Sequence, residues 1–106
     1  MALVTYIQPD GSVRAVNIKP GTSVMQGALD NAIDGMLAEC GGSCSCATCH
    51  CYVDKKWFGK AGTPGSTEIQ MLDFVVELKE NSRLGCQIIV DDGLDGIIVQ
   101  MPISQY

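Results

Sequence analysis

Five of the six cysteines in this 106-residue chain fall within twelve positions, Cys40 to Cys51, and the sixth, Cys86, stands far downstream. Between Cys40 and Cys49 the remaining residues are Gly41, Gly42, Ser43, Ser45, Ala47 and Thr48, all small, with Cys44 and Cys46 among them. Side chains of this size bury little apolar area, so the stretch cannot drive its own collapse. They do let backbone N–H groups approach a buried anion closely. The segment is suited to wrapping around something, and any fold must accommodate that wrap.

Composition narrows what is wrapped. An apolar content of 46% with several β-branched runs fits one globular domain over residues 1–106. No apolar run approaches the roughly 20 residues of a membrane span. The opening Met1 to Tyr6 reads as a strand, without the basic start and apolar stretch of a secretory leader. The expected location is therefore cytoplasmic and reducing, where a metal role for six cysteines outranks a disulfide framework. The candidate anion is an iron–sulfur cluster, since four thiolates and two sulfides carry more negative charge than two irons neutralise.

The net charge of −5 is unevenly placed: residues 1–60 hold five acids and five bases, whereas residues 61–106 hold seven acids against Lys79 and Arg83. Phosphate would be repelled by such a half, which excludes nucleic acid as the expected partner, while a basic protein surface would be attracted.

In chain order, Ala2–Ile7 and Val13–Ile18 read as a hairpin turned at Pro9, Asp10, Gly11 and Ser12. Thr22 or Ser23 can cap a helix with apolar positions Val24, Ala28, Leu29 and Ala32. Cys51–Asp54 is a short strand, and residues 55–66 a loop containing Trp57 and Phe58, both read as packing residues. Ser66 or Thr67 can cap a helical region with Met71, Phe74, Val75 and Leu78 on one face and Asp73, Glu77 and Glu80 on the other. Periodicity leaves open whether this is one helix or two. Residues 86–90 and 97–101 are apolar strands separated by the turns at Asp91, Asp92, Gly93 and at Asp95, Gly96. Strands before, between and after helices predict an α+β fold with a small mixed sheet and packed helices.

The residues leave more than one set of four cysteines open. Cys44 lies on the loop itself, and Cys51 opens a strand whose pleat would turn it away from Cys49. Both otherwise read as small, partly buried side chains, and replacing Cys51 by Ser is expected to change neither cluster nor fold. Zinc would ordinarily show a second close pair, and Cys86 is solitary.

Taken as Cys40, Cys46, Cys49 and Cys86, the spacing is C-x5-C-x2-C-x36-C, one residue longer in its first gap than the plant-type pattern. With Glu39 through His50, Leu84-Gly85-Cys86-Gln87-Ile88 and Leu94 through Val99, it resembles the adrenodoxin/putidaredoxin family of 2Fe–2S ferredoxins over essentially the whole chain. The resemblance implies a β-grasp-like 2Fe–2S ferredoxin fold with a cluster-binding loop, one 2Fe–2S cluster held by those four cysteines, and one-electron transfer rather than enzymatic catalysis. It implies an NAD(P)H-dependent flavoprotein ferredoxin reductase as electron source and a cytochrome P-450-type haem-thiolate monooxygenase as recipient. No nucleic acid and no membrane are expected as partners, and the chain is expected to be monomeric.

The expected docking residues are the acids Asp73, Glu77 and Glu80, with Glu39 beside Cys40 and the aromatic Tyr106 at the end of the sequence. An oxidised cluster adds about −2, taking the loaded chain to about −7. His50 adjoins Cys49 and is either a stiffener of the loop or a structural histidine. Two other readings remain: a ferredoxin that supplies iron–sulfur cluster assembly, for which Cys44 and Cys51 speak, and a metal-stabilised interaction module with no redox role.

Overall fold

Alternation of Ala2, Val4 and Tyr6, all buried, with Leu3, Thr5 and Ile7 gives the first strand an inner face. The computed structural model describes residues 2–33, 49–75 and 77–102. Its elements in order are β1 (Ala2–Ile7), β2 (Val13–Ile18), α1 (Val24–Asp30), β3 (His50–Val53), α2 (Lys55–Phe58), α3 (Ser66–Leu72), β4 (Ser82–Leu84) and β5 (Ile97–Gln100). The sheet runs β2-β1-β5-β3-β4, with β1 and β5 parallel and every other pair antiparallel. This is the expected mixed sheet of an α+β fold.

The hairpin forms as its turn chemistry predicts. The Asp10 carboxylate accepts from both the amide and the hydroxyl of Ser12, at 2.8 and 2.7 Å, and these bonds hold its pKa below the usual range. Ser23 caps α1 by accepting from the Gln26 amide at 2.9 Å. Val24 and Ala28 of α1 are buried, but Leu29 is exposed and Ala32 lies beyond the helix at a φ of 54°. The Tyr6 hydroxyl donates to the Val24 carbonyl at 2.7 Å, tying strand to helix. Gly27 is what allows this approach: a Cβ there would stand 2.7 Å from Ile18 Cδ1 and 3.0 Å from the Tyr6 oxygen. At the other end of β1, Gly96 adopts a φ of 99° and sits under the Trp57 ring, with its amide bonded to Leu3.

Four local expectations are corrected. Residues 55–66 are not all loop: Asp54 caps the short α2, accepting from Lys56 at 3.0 Å, and Trp57 and Phe58 pack against the core from it. The cap of α3 is Gly65, without a side-chain bond, and the helix stops at Leu72. Phe74 and Leu78, expected on an apolar helix face, are 73% and 55% exposed. The segment after Cys86 is not a full strand. It is a 3-10 turn over Gly85–Gln87 followed by a single bridge, Ile89 to Ser23, and bonds linking residues 88 and 90 to the start of α1.

Candidate metal centre

The pairing of β3 with β4 brings the distant cysteine to the loop cysteine. His50 is opposite Leu84 and Cys51 opposite Arg83, so Cys49, just before β3, lies beside the turn that carries Cys86. The Gly85 amide donates to the Cys49 carbonyl at 2.8 Å. Cys49 and Cys86 are both buried, and Gln87 Nε2 donates to the Cys86 sulfur at 3.5 Å. Contact with the Cys86 side chain, and then burial, hold the Cys49 thiol far above its ordinary pKa. Two such neighbouring sulfurs become thiolates together only if a metal supplies the compensating charge. Adjacent buried sulfurs, with an amide donor aimed at one of them, fit the expected cluster. Cys40, Cys44 and Cys46 lie outside the described residues.

Burial alone does not separate ligand from bystander. Cys51 is as inaccessible as Cys49, and burial pushes its thiol up to about 12. What differs is the neighbour: the Cys86 side chain is the largest influence on Cys49, whereas Cys51 faces Arg83 across the two strands, with Cys86 a lesser influence.

His50 sits within a polar lattice on β3. Its Nε2 lies 2.9 Å from the Ser82 hydroxyl, and its ring meets Tyr52 edge to face at 4.7 Å. Burial, with the Lys79 charge as a lesser cause, lowers its pKa to about 4, so the ring is neutral near pH 7. Ser82 also accepts from the Lys79 amide at 2.8 Å, and Tyr52 donates to the Glu77 carbonyl at 2.7 Å. These bonds hold the backbone around Glu77, whose φ is 56°.

Glu68 and Arg83 are the buried charges that sequence reasoning missed. They form an ion pair at 2.7 Å, with side chains 2% and 3% exposed. Arg83 was legible only as one of two bases in an acidic half, and no periodicity links positions fifteen residues apart.

Of the expected docking acids, Asp73, Glu77 and Glu80 are all exposed, but they do not share a helix face. Asp73 closes α3, and the other two lie beyond it. Glu80 borders an open groove of about 640 Å³ together with Lys55, Leu78, Lys79 and Asn81. The Lys79 ammonium lies 4.5 Å from the centre of the Tyr52 ring. Glu39 and Tyr106 lie outside the described residues. Among those residues no helix is long and apolar enough to cross a membrane.

Comparison with known proteins agrees with this geometry. The family model of the 2Fe-2S iron-sulfur cluster binding domain matches residues 7–91. Rhodocoxin of Rhodococcus erythropolis is 46% identical over 106 residues, covering 99% of both chains. Putidaredoxin of Pseudomonas putida is 46% identical over 107 residues, covering 100% of both. A solved structure of a putidaredoxin mutant superposes with a TM-score of 0.97 at 45% identity, over 99% of this chain and 100% of that one. The crystal structure of a covalent putidaredoxin reductase–putidaredoxin complex matches with a TM-score of 0.92 at 46% identity, over 95% and 98% of the two chains. The chain belongs to the 2Fe–2S iron–sulfur cluster binding domain family, as a putidaredoxin-type ferredoxin, an electron-transfer protein that carries one 2Fe–2S cluster.

Proposed function

We propose that the chain carries single electrons from an NAD(P)H-dependent flavoprotein ferredoxin reductase to a cytochrome P-450-type haem-thiolate monooxygenase. The observation that carries this reading is the match to putidaredoxin in covalent complex with its reductase, at 46% identity over nearly the whole chain. The monooxygenase half rests on the family resemblance of the cysteine spacing and its flanking residues. Residues 1–106 act as one monomeric domain in this reading, and its cysteines suit the reducing cytoplasm.

Cys40, Cys46, Cys49 and Cys86 hold the cluster, which supplies the one-electron redox change. The protein's own residues do the rest. Gln87 donates to the Cys86 sulfur, and such donors favour the more negative, reduced state. Burial of Cys49 and Cys86 keeps water from two of the sulfurs. The acids of residues 73–80 and 91–95 speed encounter with a basic surface while leaving the complex weak enough to part.

The test is reconstitution of the holoprotein with NADH, a ferredoxin reductase of this class and a monooxygenase. Bleaching of the visible cluster absorption by NADH, followed by reduction of the haem, is expected. Failure of the reductase to bleach the cluster overturns the reading. Bleaching without haem reduction overturns its monooxygenase half and returns cluster assembly as the client.

A further inference from the structure

Positive charge is unevenly placed in this acidic chain. Lys55, Lys56 and Lys60 fall within six residues, in and just after α2, and Lys79 lines the same open groove as Lys55. All four are exposed. None is paired with a carboxylate among the described residues, whose one ion pair is Arg83 with Glu68. Two rest on aromatic rings instead: Lys60 Nζ lies 5.0 Å from the centre of the Trp57 ring, and Lys79 Nζ 4.5 Å from that of Tyr52. A ring face positions an ammonium without neutralising it. The Trp57 ring is itself placed by its contact with Gly96.

The groove of about 640 Å³ adjoins a second of about 300 Å³, and the two share Lys55, Glu80 and Asn81. Leu78 lines the first and Phe58 the second. Asn81 is anchored by donating from Nδ2 to the Val53 carbonyl at 2.7 Å. Unpaired cations beside apolar walls suit a carboxylate-bearing stretch of protein.

We infer that this groove receives an acidic segment of the flavoprotein ferredoxin reductase and so sets which way round the two proteins dock. The inference rests on the reductase being the electron source. Continuity favours one partner over two: Glu77, Leu78 and Lys79 are consecutive, so the acids that meet a basic surface run straight into the cationic groove. A surface of one sign attracts its partner from many angles. A surface of both signs selects one orientation, because a partner turned round meets like charges. A second copy of this chain is a poorer occupant, since two loaded copies at about −7 each repel.

The test compares two holoprotein variants of equal charge. Lys55→Gln with Lys56→Gln strips α2 of two cations. Arg14→Gln with Lys19→Gln removes two exposed bases in and just after β2, at the other edge of the sheet. Each pair lowers the net charge of −5 by two, and exposed positions leave the fold intact. The readout is the rate at which NADH and the reductase bleach the cluster absorption. Were overall charge all that mattered, both pairs would react alike, and no slower than wild type with a basic surface. The α2 pair is expected to react about fivefold slower than the β2 pair at low salt, with the gap closing at high salt. A carbodiimide joins a touching ammonium and carboxylate as an amide, itself taking up the water. It is expected to link Lys55 or Lys56 of the wild type to an acid of the reductase. Equal rates for the two pairs, or the absence of such a link, overturn the inference. Links between two copies of the ferredoxin assign the groove to self-association and overturn it as well. So does slowing confined to haem reduction, which assigns the groove to the monooxygenase. A wild type that the reductase fails to bleach overturns the reading beneath, whereas a bleached wild type with equal pairs overturns the groove alone.

Discussion

The two ends of the sheet are built by different physics. Where β2, β1 and β5 meet α1, the buried side chains are Ala2, Val4, Ile18, Val24, Ala28, Ile97 and Val99, with Tyr6 as the polar exception, its hydroxyl bonded to Val24. Where β3 and β4 meet α3, the interior holds Val53, Leu72 and Leu84 but also His50, Glu68, Ser82 and Arg83, together with Cys49, Cys51 and Cys86. Those four are all the buried polar or charged residues outside the cysteines and tyrosines among the described ones. The first end is held by non-directional burial, which tolerates small shifts. The second is held by bonds that fail when angles change, and a buried group that loses its partner costs more than the bond was worth. Under the proposed ligand set, the end that keeps sulfurs in place is the directional one.

The contrast can be broken most severely at Cys86. Cys86→Ser should lose the cluster or alter it strongly, and much folded stability with it, since cluster binding is coupled to folding. Visible absorption and iron content check this. Next, Arg83→Met should cost about 3–5 kcal/mol, because Glu68 is left as an unpaired buried charge. Denaturant unfolding of the holoprotein measures it, and a loss under about 1 kcal/mol would show the directional end to be as forgiving as the other.

On the apolar end, Gly27→Ala should lower stability by about 1–3 kcal/mol through overpacking against Ile18 and Tyr6, although alanine is the better helix former. A thermal melt detects this, and the cluster's EPR spectrum should stay as in wild type. Cys51→Ser revises the sequence expectation of no effect. The site is fully buried, so a hydroxyl placed there costs about 1–3 kcal/mol if it finds no partner, with cluster spectra unchanged. The smallest effect on the fold belongs to Asp73→Asn and Glu77→Gln, both exposed, at within about 0.5 kcal/mol. Their reductase coupling should weaken and its salt dependence flatten. Unchanged kinetics would mark these acids as solvated surface only.

Most of the apolar end was readable along the chain. Alternation along Ala2–Ile7, the turn at residues 9–12 and the Ser23 cap are local signals, and each formed where those signals stood. The second helical region misled because Met71, Phe74, Val75 and Leu78 keep helical spacing past the point where the helix stops. Backbone geometry overrode the pattern there: α3 closes at Asp73, and Glu77 takes a left-handed conformation held by Tyr52. The acids spaced with those residues consequently left the shared face that spacing predicted.

What the sequence determined by itself was the inventory and the spacing: small residues around clustered thiols, one thiol far off, and an acidic second half. These follow from residue type, which sets size, charge and ligand chemistry before any folding. Only the tertiary structure decided which groups meet. The contacts Cys49 with Cys86, His50 with Ser82 and Glu68 with Arg83 span 37, 32 and 15 positions and follow no local period. Such pairs exist only once β3 lies beside β4 and α3 packs across them, because a directional bond needs both partners placed in space before it can form.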